Sequence, residues 1–302
     1  MRVCVIFNPT AQGDKARRFR RQLDAIGSEC ELKPTVAAGD GRRLAAEAVR
    51  EGFETIIAAG GDGTVNEVLN GLGDAPDGFA RARLGVLPLG TVNVFAKEHG
   101  LPLGLPQAWA AIRRGNEQRI DLPVAEFTTD GIPERRYFAQ MAGAGLDARA
   151  IDLVDWRLKK SIGQLAYVVA GMKAMRGPHP QIQFMGDAAT AVGELVLVGN
   201  GRFYGGKLSV FHRAQPTDGM LDVCVFPRVN WFTVLRYGLG LWTHRAPLPA
   251  DMGYFQTRQL TLSCNIPARF ELEGDVAGSL PVTISLCPKA LRIAVPQREE
   301  CS

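Results

Sequence analysis

The chain has 302 residues, 46% of them hydrophobic and 22% charged, with a formal net charge of +4. This is the composition of an ordinary globular protein, long enough for two domains with their own cores, and no apolar run reaches the roughly 18 residues of a transmembrane helix. The mild positive charge suits a nucleotide or an anionic lipid but does not discriminate alone.

The opening stretch, Met1 to Pro9, is too short for a signal peptide and reads as a first strand, Val3 to Phe7. The turn Asn8-Pro9-Thr10-Ala11-Gln12-Gly13 then leads into a helix with Phe19, Leu23 and Ile26 on one face. Lys15, Arg17, Arg18, Arg20 and Arg21 cover much of the rest, as a solvated basic face or as a contact for an anionic membrane surface. Cys30 to Thr35 reads as a strand, and Asp40 to Glu51 as a helix with Leu44, Ala45, Ala48 and Val49 inward.

Ile56 to Ala59 is a short apolar run, the mark of a buried parallel strand. Gly60, Gly61 and Gly63 follow and allow a sharp turn and close approach to a ligand. Thr64 and Glu67 read as a capping box, and Val65, Val68, Leu69 and Leu72 recur at helical spacing. A strand, a glycine turn and a helix start aim free N–H groups at an anion, most often a phosphate. Asp62 lies inside this turn, where a phosphate would repel it; it reads as a partner of Mg²⁺ or of a reacting hydroxyl, against the alternative of an ordinary tight turn. The loop lacks the Lys of a Walker motif and the third glycine of a dinucleotide fingerprint.

Arg83 to Pro88 is another strand. A second glycine turn follows, with Gly90, Thr91 and Asn93 offering a hydroxyl and an amide to a phosphate or ribose, or simply capping a helix. Gly115 to Leu122 is a strand that ends the domain. The alternation gives an α/β domain over 1–122 with a parallel sheet, and ligands in such sheets sit at the carboxyl ends of the strands. Asn8, Gly60–Thr64 and Leu89–Asn93 all fall there.

From 123 to 302 short strands dominate: Arg135–Met141, Gln181–Met185, Glu194–Val198, Leu208–Phe211, Leu221–Phe226, Tyr254–Ser263, Ala268–Glu273, Val282–Leu286 and Leu291–Val295. That spacing predicts an antiparallel β-sandwich, its last residues packing back on the first domain. Two helical insertions are expected, Ala148–Met175 and Trp231–Thr243; the second either covers the sandwich or presents Trp and Leu to a bilayer. The six cysteines are scattered without a Cys-x-x-Cys, as in a reduced cytoplasmic protein.

Gly60-Gly-Asp-Gly-Thr64 resembles the signature of the diacylglycerol and sphingosine kinase catalytic-domain family, and NAD kinases and phosphofructokinases carry a related loop. Pro88 to Ala96 is similar to the family's Pro-x-Gly-Thr-x-Asn-Asp-Phe-Ala, with Val94 in place of the second Asp. Ile120-Asp121-Leu122, Gly199-Asn200 with Gly205-Gly206, and Asp218-Gly-Met-Leu-Asp222 match further elements, as do Pro281 to Ile284 and Pro288 to Leu291. Glu273-Gly274-Asp275 stands where the family has Asp-Gly-Glu, so the two acids are exchanged.

The resemblance, to the bacterial YegS-like branch, implies an ATP- and Mg²⁺-dependent lipid kinase. Nucleotide contacts would come from Asn8, Thr35, Gly60, Gly61, Asp62, Gly63, Thr64, Asn66, Glu67, Gly90, Thr91 and Asn93. Asp275 would be the general base, with Glu273 supporting it and Asp62 at the reacting groups. Gln215, Asp218 and Met220 would hold a structural Mg²⁺; Asp121 would hold a metal-bound water or form a surface ion pair. Without the resemblance, Asp218-Gly219 reads as the corner of a hairpin. The implied partners are ATP and a membrane lipid met by reversible peripheral contact from the cytoplasm; a homodimer is allowed, and no nucleic acid is expected. The rivals are an NAD kinase-like enzyme acting on a soluble substrate and a nucleotide- or lipid-binding protein without activity. The acceptor, diacylglycerol-like in the leading reading, is not named by its apolar pocket.

Overall fold

The computed structural model describes residues 2–11, 14–21, 26–146, 148–149, 179–204, 206, 208–232 and 252–297. Most of the two expected helical insertions, beyond Arg149 and beyond Phe232, lies outside the described residues. The chain divides into two compact units, Met1–Leu122 with Pro288–Ser302, and Pro123–Cys287.

The first unit is built on parallel strands β1 (Val3–Phe7), β2 (Glu31–Pro34), β3 (Thr55–Gly60) and β4 (Arg83–Pro88), in the order β2-β1-β3-β4. Helices α1 (Asp14–Arg21), α2 (Asp40–Arg50), α3 (Asp62–Asp74), α4 (Gly78–Arg81), α5 (Val94–Glu98) and α6 (Leu105–Arg113) intervene. Val5, Ile57, Ala59 and Leu87 pack with Phe19, Ala108 and Ile112, so this sheet face lies under α1 and α6. The alternate positions Cys4, Ile6, Ile56 and Ala58 are buried as well. A sheet covered on both faces explains the unbroken apolar runs of its strands.

Arg83 is a buried cation in this core that the sequence pattern does not announce. Its Nε donates to Thr55 Oγ1 at 2.9 Å, its Nη1 to the Gly115 carbonyl at 2.9 Å and its Nη2 to the Ile112 carbonyl at 3.0 Å. The guanidinium thus closes the carboxyl end of α6, whose last carbonyls have no partner within the helix. Burial holds its pKa below the ordinary arginine value.

The second unit is a sandwich. One sheet has the order β14-β13-β10-β7-β16-β17, from β7 (Met141–Gly145), β10 (Leu195–Gly199), β13 (Leu221–Phe226), β14 (Gly253–Thr257), β16 (Arg269–Leu272) and β17 (Asp275–Ser279). Facing it are β8 (Ile182–Gly186), β9 (Thr190–Gly193), β15 (Gln259–Ser263) and the first part of β18 (Val282–Ala294), with the later part of β5 (Glu117–Thr129) and β6 (Ile132–Tyr137). Ala142, Val196, Val223 and Phe270 from one side meet Phe184, Leu260, Val282 and Ile284 from the other. Leu208, in the short β12 (Leu208–Ser209) paired with β11 (Phe203–Tyr204), and Phe211 beyond it cover the outer face of β13 around Cys224 and Phe226.

The structure differs from the expected strands in three places. Tyr254–Ser263 is two strands in different sheets: Asp187 Oδ2 accepts from the Arg258 N–H and the Thr257 hydroxyl, and this corner carries the chain across. Val282–Leu286 and Leu291–Val295 are one strand, β18, which enters the first unit and lays Ile293 beside Leu84. The strand at 117 does not stop at Leu122 but continues to Thr129.

Replacing Arg83 by Met should cost about 2–4 kcal/mol, because it removes the donor to buried Thr55 Oγ1 and the two bonds to the carbonyls of Ile112 and Gly115 at the end of α6. Chemical denaturation checks this, and a loss below about 0.5 kcal/mol would mean that water takes over the helix end.

Candidate active site

The glycine turn after β3 is set by backbone crowding. A Cβ on Gly60 would collide with the Thr64 side chain, and a Cβ on Gly90 would stand 2.5 Å from Gly61 Cα. The two loops are therefore in direct main-chain contact, and the Leu89 and Gly90 N–H groups both donate to the Gly60 carbonyl, at 2.9 and 3.3 Å.

Helix α3 starts earlier than the expected capping box. Its N-cap is Gly61 in extended conformation with no side-chain cap, and the helix runs from Asp62. Thr64 thus lies within the first turn and cannot cap it. The first intrahelical bond is Val65 N–H to Gly61 carbonyl, so the amides of Asp62, Gly63 and Thr64 precede the helical ladder. Gly63 is exposed, and nothing lies within 4 Å of where its Cβ would be. The open side of the loop thus combines free amide dipoles with room for a bulky anion.

Asp62 accepts from the Phe95 N–H at 3.1 Å through Oδ1, which ties the first loop to the start of α5. Asn93, expected at the ligand, turns inward. It has a left-handed backbone at φ 52°, is buried, and donates through Nδ2 to the Gly90 carbonyl at 2.7 Å. The hydroxyl-bearing Thr91 is exposed beside it. Asn66 is engaged along its own helix by Asn70, whose Nδ2 donates to its carbonyl and to its Oδ1.

Glu67 does not close a capping box either. Its Oε1 accepts from Gly39 N–H at 3.0 Å and its Oε2 from Gly41 N–H at 2.9 Å, which holds the loop before α2. At the end of β1, Asn8 Oδ1 accepts from the Thr10 N–H and hydroxyl, both at 2.8 Å. At the end of β2, Thr35 N–H donates to the Phe7 carbonyl at 2.9 Å. The first unit thus brings Asn8, Thr35, Gly60–Thr64 and Leu89–Thr91 to one edge of its sheet.

Of the basic face, Arg20 donates to the Pro9 and Ala11 carbonyls and Arg17 pairs with Asp14, while Arg18 and Arg21 are exposed. Asp121 is not on the surface. It is 1% exposed and its Oδ1 accepts from Lys289 N–H at 2.7 Å, which pins the returning end of β18.

In the second unit Glu273 and Gly274 form a two-residue hairpin between β16 and β17, with φ of 56° and 85°. Left-handed backbone at both positions is the type I′ turn, and a glutamate there costs about 1–2 kcal/mol of strain. The compensation is local. Glu273 Oε1 accepts from the Ala139 and Gln140 N–H groups at 2.6 and 2.7 Å, and Gly274 N–H donates to Glu271 Oε2 at 2.6 Å. Asn200 supports the same segment, its Nδ2 donating to the Ala139 carbonyl at 2.9 Å. Asp275, the other acid, is exposed at the start of β17. Gly274 therefore breaks the strand and separates an anchored carboxylate from an open one. Glu271 escaped the sequence reading; a charged residue inside the Arg269–Leu272 strand was its only signal.

The Gln215–Asp222 segment closes on itself. The Gln215 carbonyl accepts from Thr217 and Asp218 N–H, and Asp218 Oδ1 accepts from Met220 N–H at 3.0 Å. Gly219 has φ of 77°. Of the set Gln215, Asp218 and Met220, the Gln215 carbonyl is thus already given to two N–H donors and Asp218 Oδ1 to a third. Among the described residues no group of three or more His, Cys, Asp or Glu side chains is placed to hold a metal. Asp222 is buried beneath, bonded to the Tyr254 hydroxyl at 2.5 Å and Gln256 Nε2 at 3.3 Å, and burial raises its pKa.

Comparison with known proteins follows the same division. Residues 2–125 match the family model described as the diacylglycerol kinase catalytic domain, and residues 140–295 the model described as the YegS C-terminal NAD kinase beta sandwich-like domain. A diacylglycerol kinase of Bacillus subtilis is 28% identical over 99% of this chain and 97% of its own. A protein named probable lipid kinase YegS, from Salmonella dublin, is 34% identical over 74% of this chain and 73% of its own. A crystal structure of a diacylglycerol kinase from Bacillus anthracis shares the fold, with a TM-score of 0.73, 22% identity, and coverage of 97% of this chain and 96% of that one. So does yeast NADH kinase complexed with NADH, with a TM-score of 0.55, 9% identity, and coverage of 100% of this chain and 84% of that one.

Two outcomes are expected of variants at these turns. Asp62→Ala removes the acceptor for Phe95 N–H and should cost about 1–2 kcal/mol, whereas Asp62→Asn keeps an oxygen there and should cost less than about 0.5 kcal/mol. Equal losses in urea unfolding would mean the tie does not form. Parent and Asp218→Ala should respond alike to added Mg²⁺ in thermal melting; a shift lost only in the variant would place a cation in that turn.

Proposed function

The chain belongs to the diacylglycerol kinase catalytic-domain family and is a phosphotransferase, and we propose that it transfers the γ-phosphoryl group of ATP to the hydroxyl of a diacylglycerol-like lipid. The observation that carries the proposal is the anion cradle at the start of α3. Its amides of Asp62, Gly63 and Thr64 precede the helical ladder and open on exposed Gly63. Such donors stabilise charge on a transferring phosphoryl group without reorganising.

In this reading the lipid oxygen attacks the γ-phosphorus, the bond to the β-phosphate oxygen breaks, and ADP leaves. Asp275 takes the hydroxyl proton, and its exposure leaves it accessible to an incoming acceptor. Glu273 holds the turn that presents Asp275, and its own carboxylate is committed to the Ala139 and Gln140 amides. Asp62 keeps the two glycine loops together through Phe95 and faces the phosphates with its remaining oxygen. Mg²⁺ bound with the nucleotide would neutralise phosphate charge beside Asp62.

Among the described residues no helix is long and apolar enough to cross a membrane, so the lipid would be met at the bilayer surface. Transfer of labelled phosphate from ATP into a dispersed lipid extract tests the proposal, with NAD as the competing acceptor. Label in a lipid product supports it; label in NAD alone would replace it with a soluble-substrate kinase.

Neutralising the acids should separate their roles. Asp275→Asn should lower the rate about 10²–10⁴-fold, the usual cost of a lost general base. Glu273→Gln should cost less, because an amide oxygen can still accept from the same two N–H groups. The opposite order would give the proton to Glu273. Small, equal effects of both would favour a binding protein that has kept the fold and lost the reaction.

A further inference from the structure

Glu67, Gly71 and Asp74 fall on one face of α3, and each meets α2 or the loop before it. Glu67 accepts from the Gly39 and Gly41 amides, at 3.0 and 2.9 Å. A Cβ on Gly71 would collide with the Arg42 carbonyl, so the helices touch backbone to backbone there. Asp74 binds Arg42 through both oxygens, at 2.6 and 2.8 Å. The lower contacts join two helices, as many structural pairs do. The Glu67 contact is different, because one of its donors, Gly39, ends the loop that follows β2, while the other, Gly41, lies in the first turn of α2.

That loop is held along nearly all its main chain. Thr35 N–H donates to Phe7, and Val36 and Ala37 N–H donate to Asp40 Oδ2 at 2.8 and 3.1 Å. These amides hold the Asp40 carboxyl below the ordinary aspartate pKa. The one large side chain the loop presents is Val36, 89% exposed. Strands β2 and β3 flank β1, so their carboxyl ends stand about 10 Å apart, two strand spacings. This is the reach of one nucleotide from its nucleoside end to its phosphates. A rigid loop at one end of that span and the phosphate cradle at the other must keep their separation, and Glu67 is the side chain that starts on the cradle helix and ends on the loop.

We infer that Glu67 is a positioning residue for the nucleotide, fixing the Thr35–Gly39 loop against the phosphate loop and so setting ATP affinity. The inference rests on the nucleotide reading above. Glu67→Gln keeps the shape but offers one acceptor and one donor to two N–H groups. It should raise the KM for ATP about tenfold, the usual effect of losing one charge-assisted hydrogen bond, and change kcat much less. Gly41→Ala presses on the same carboxylate from the other side, since its Cβ would lie 2.5 Å from Glu67 Oε2, and should move KM the same way. Asp74→Asn loosens the same pair of helices away from the loop and should lower the melting temperature with KM unchanged.

ATP titration of the full chain, by initial rates and by direct binding, reads all three variants. Raised KM in Glu67→Gln and Gly41→Ala but not in Asp74→Asn supports the inference. An unchanged KM in Glu67→Gln, or an equal rise in Asp74→Asn, overturns it and leaves the kinase reading intact. If Glu67→Gln does not fold, Gly41→Ala alone decides between these outcomes. A parent chain that binds no ATP overturns both.

Discussion

The contact between Gly61 and Gly90 is the constraint from which the first unit's edge is built. The Leu89 and Gly90 amides reach the Gly60 carbonyl because Gly90 carries no Cβ, which would stand 2.5 Å from Gly61 Cα. Once they cross, α3 begins at Asp62 and its first amides open away from the sheet. Asp62 then has a backbone N–H of the other loop within reach. The carboxylate is thereby half-committed, with one oxygen bound to the Phe95 N–H. Glycine, helix start and acid form one arrangement.

Much of this fold was legible because its signals are local. Buried parallel strands show as apolar runs, and the turn at Gly60–Gly63 shows as glycines before a helical pattern. The errors came where partners lie far apart in sequence. Thr64 and Glu67 have capping-box spacing, but the glycine crossing moved the helix start, and Glu67 found donors at Gly39 and Gly41 instead. Tyr254–Ser263 has strand character throughout, and only Asp187 shows why it must turn between sheets. Asn93 looked like a ligand contact by its place after a glycine turn, yet its amide serves the turn itself. Spacing identifies residues that can do chemistry; tertiary contacts decide which of them are left open to do it.

Departures from the family pattern fall on both units. Val94 opens α5, and the N–H that follows it is bonded to Asp62. Position 94 itself brings no carboxylate to the start of α5 in this chain.

The exchanged acids have a geometric consequence of their own. The Glu273 carboxylate spans from a left-handed turn to the amides of Ala139 and Gln140 at 2.6 and 2.7 Å. An aspartate there ends one methylene sooner, about 1.5 Å short, beyond hydrogen-bond range unless β7 or the turn moves. Aspartate and glutamate are thus unequal at this position: in this chain the longer acid is the one that anchors. The shorter acid follows at 275, on the strand side of the turn, where it is exposed. Strain at Glu273 fits the same division, since a residue held in left-handed backbone by two hydrogen bonds and its own N–H to Met141 is one whose position is fixed before any substrate arrives. A turn built this way fixes the start of β17 without using the Asp275 carboxylate as a structural bond, which is what the proposed role of Asp275 requires of it.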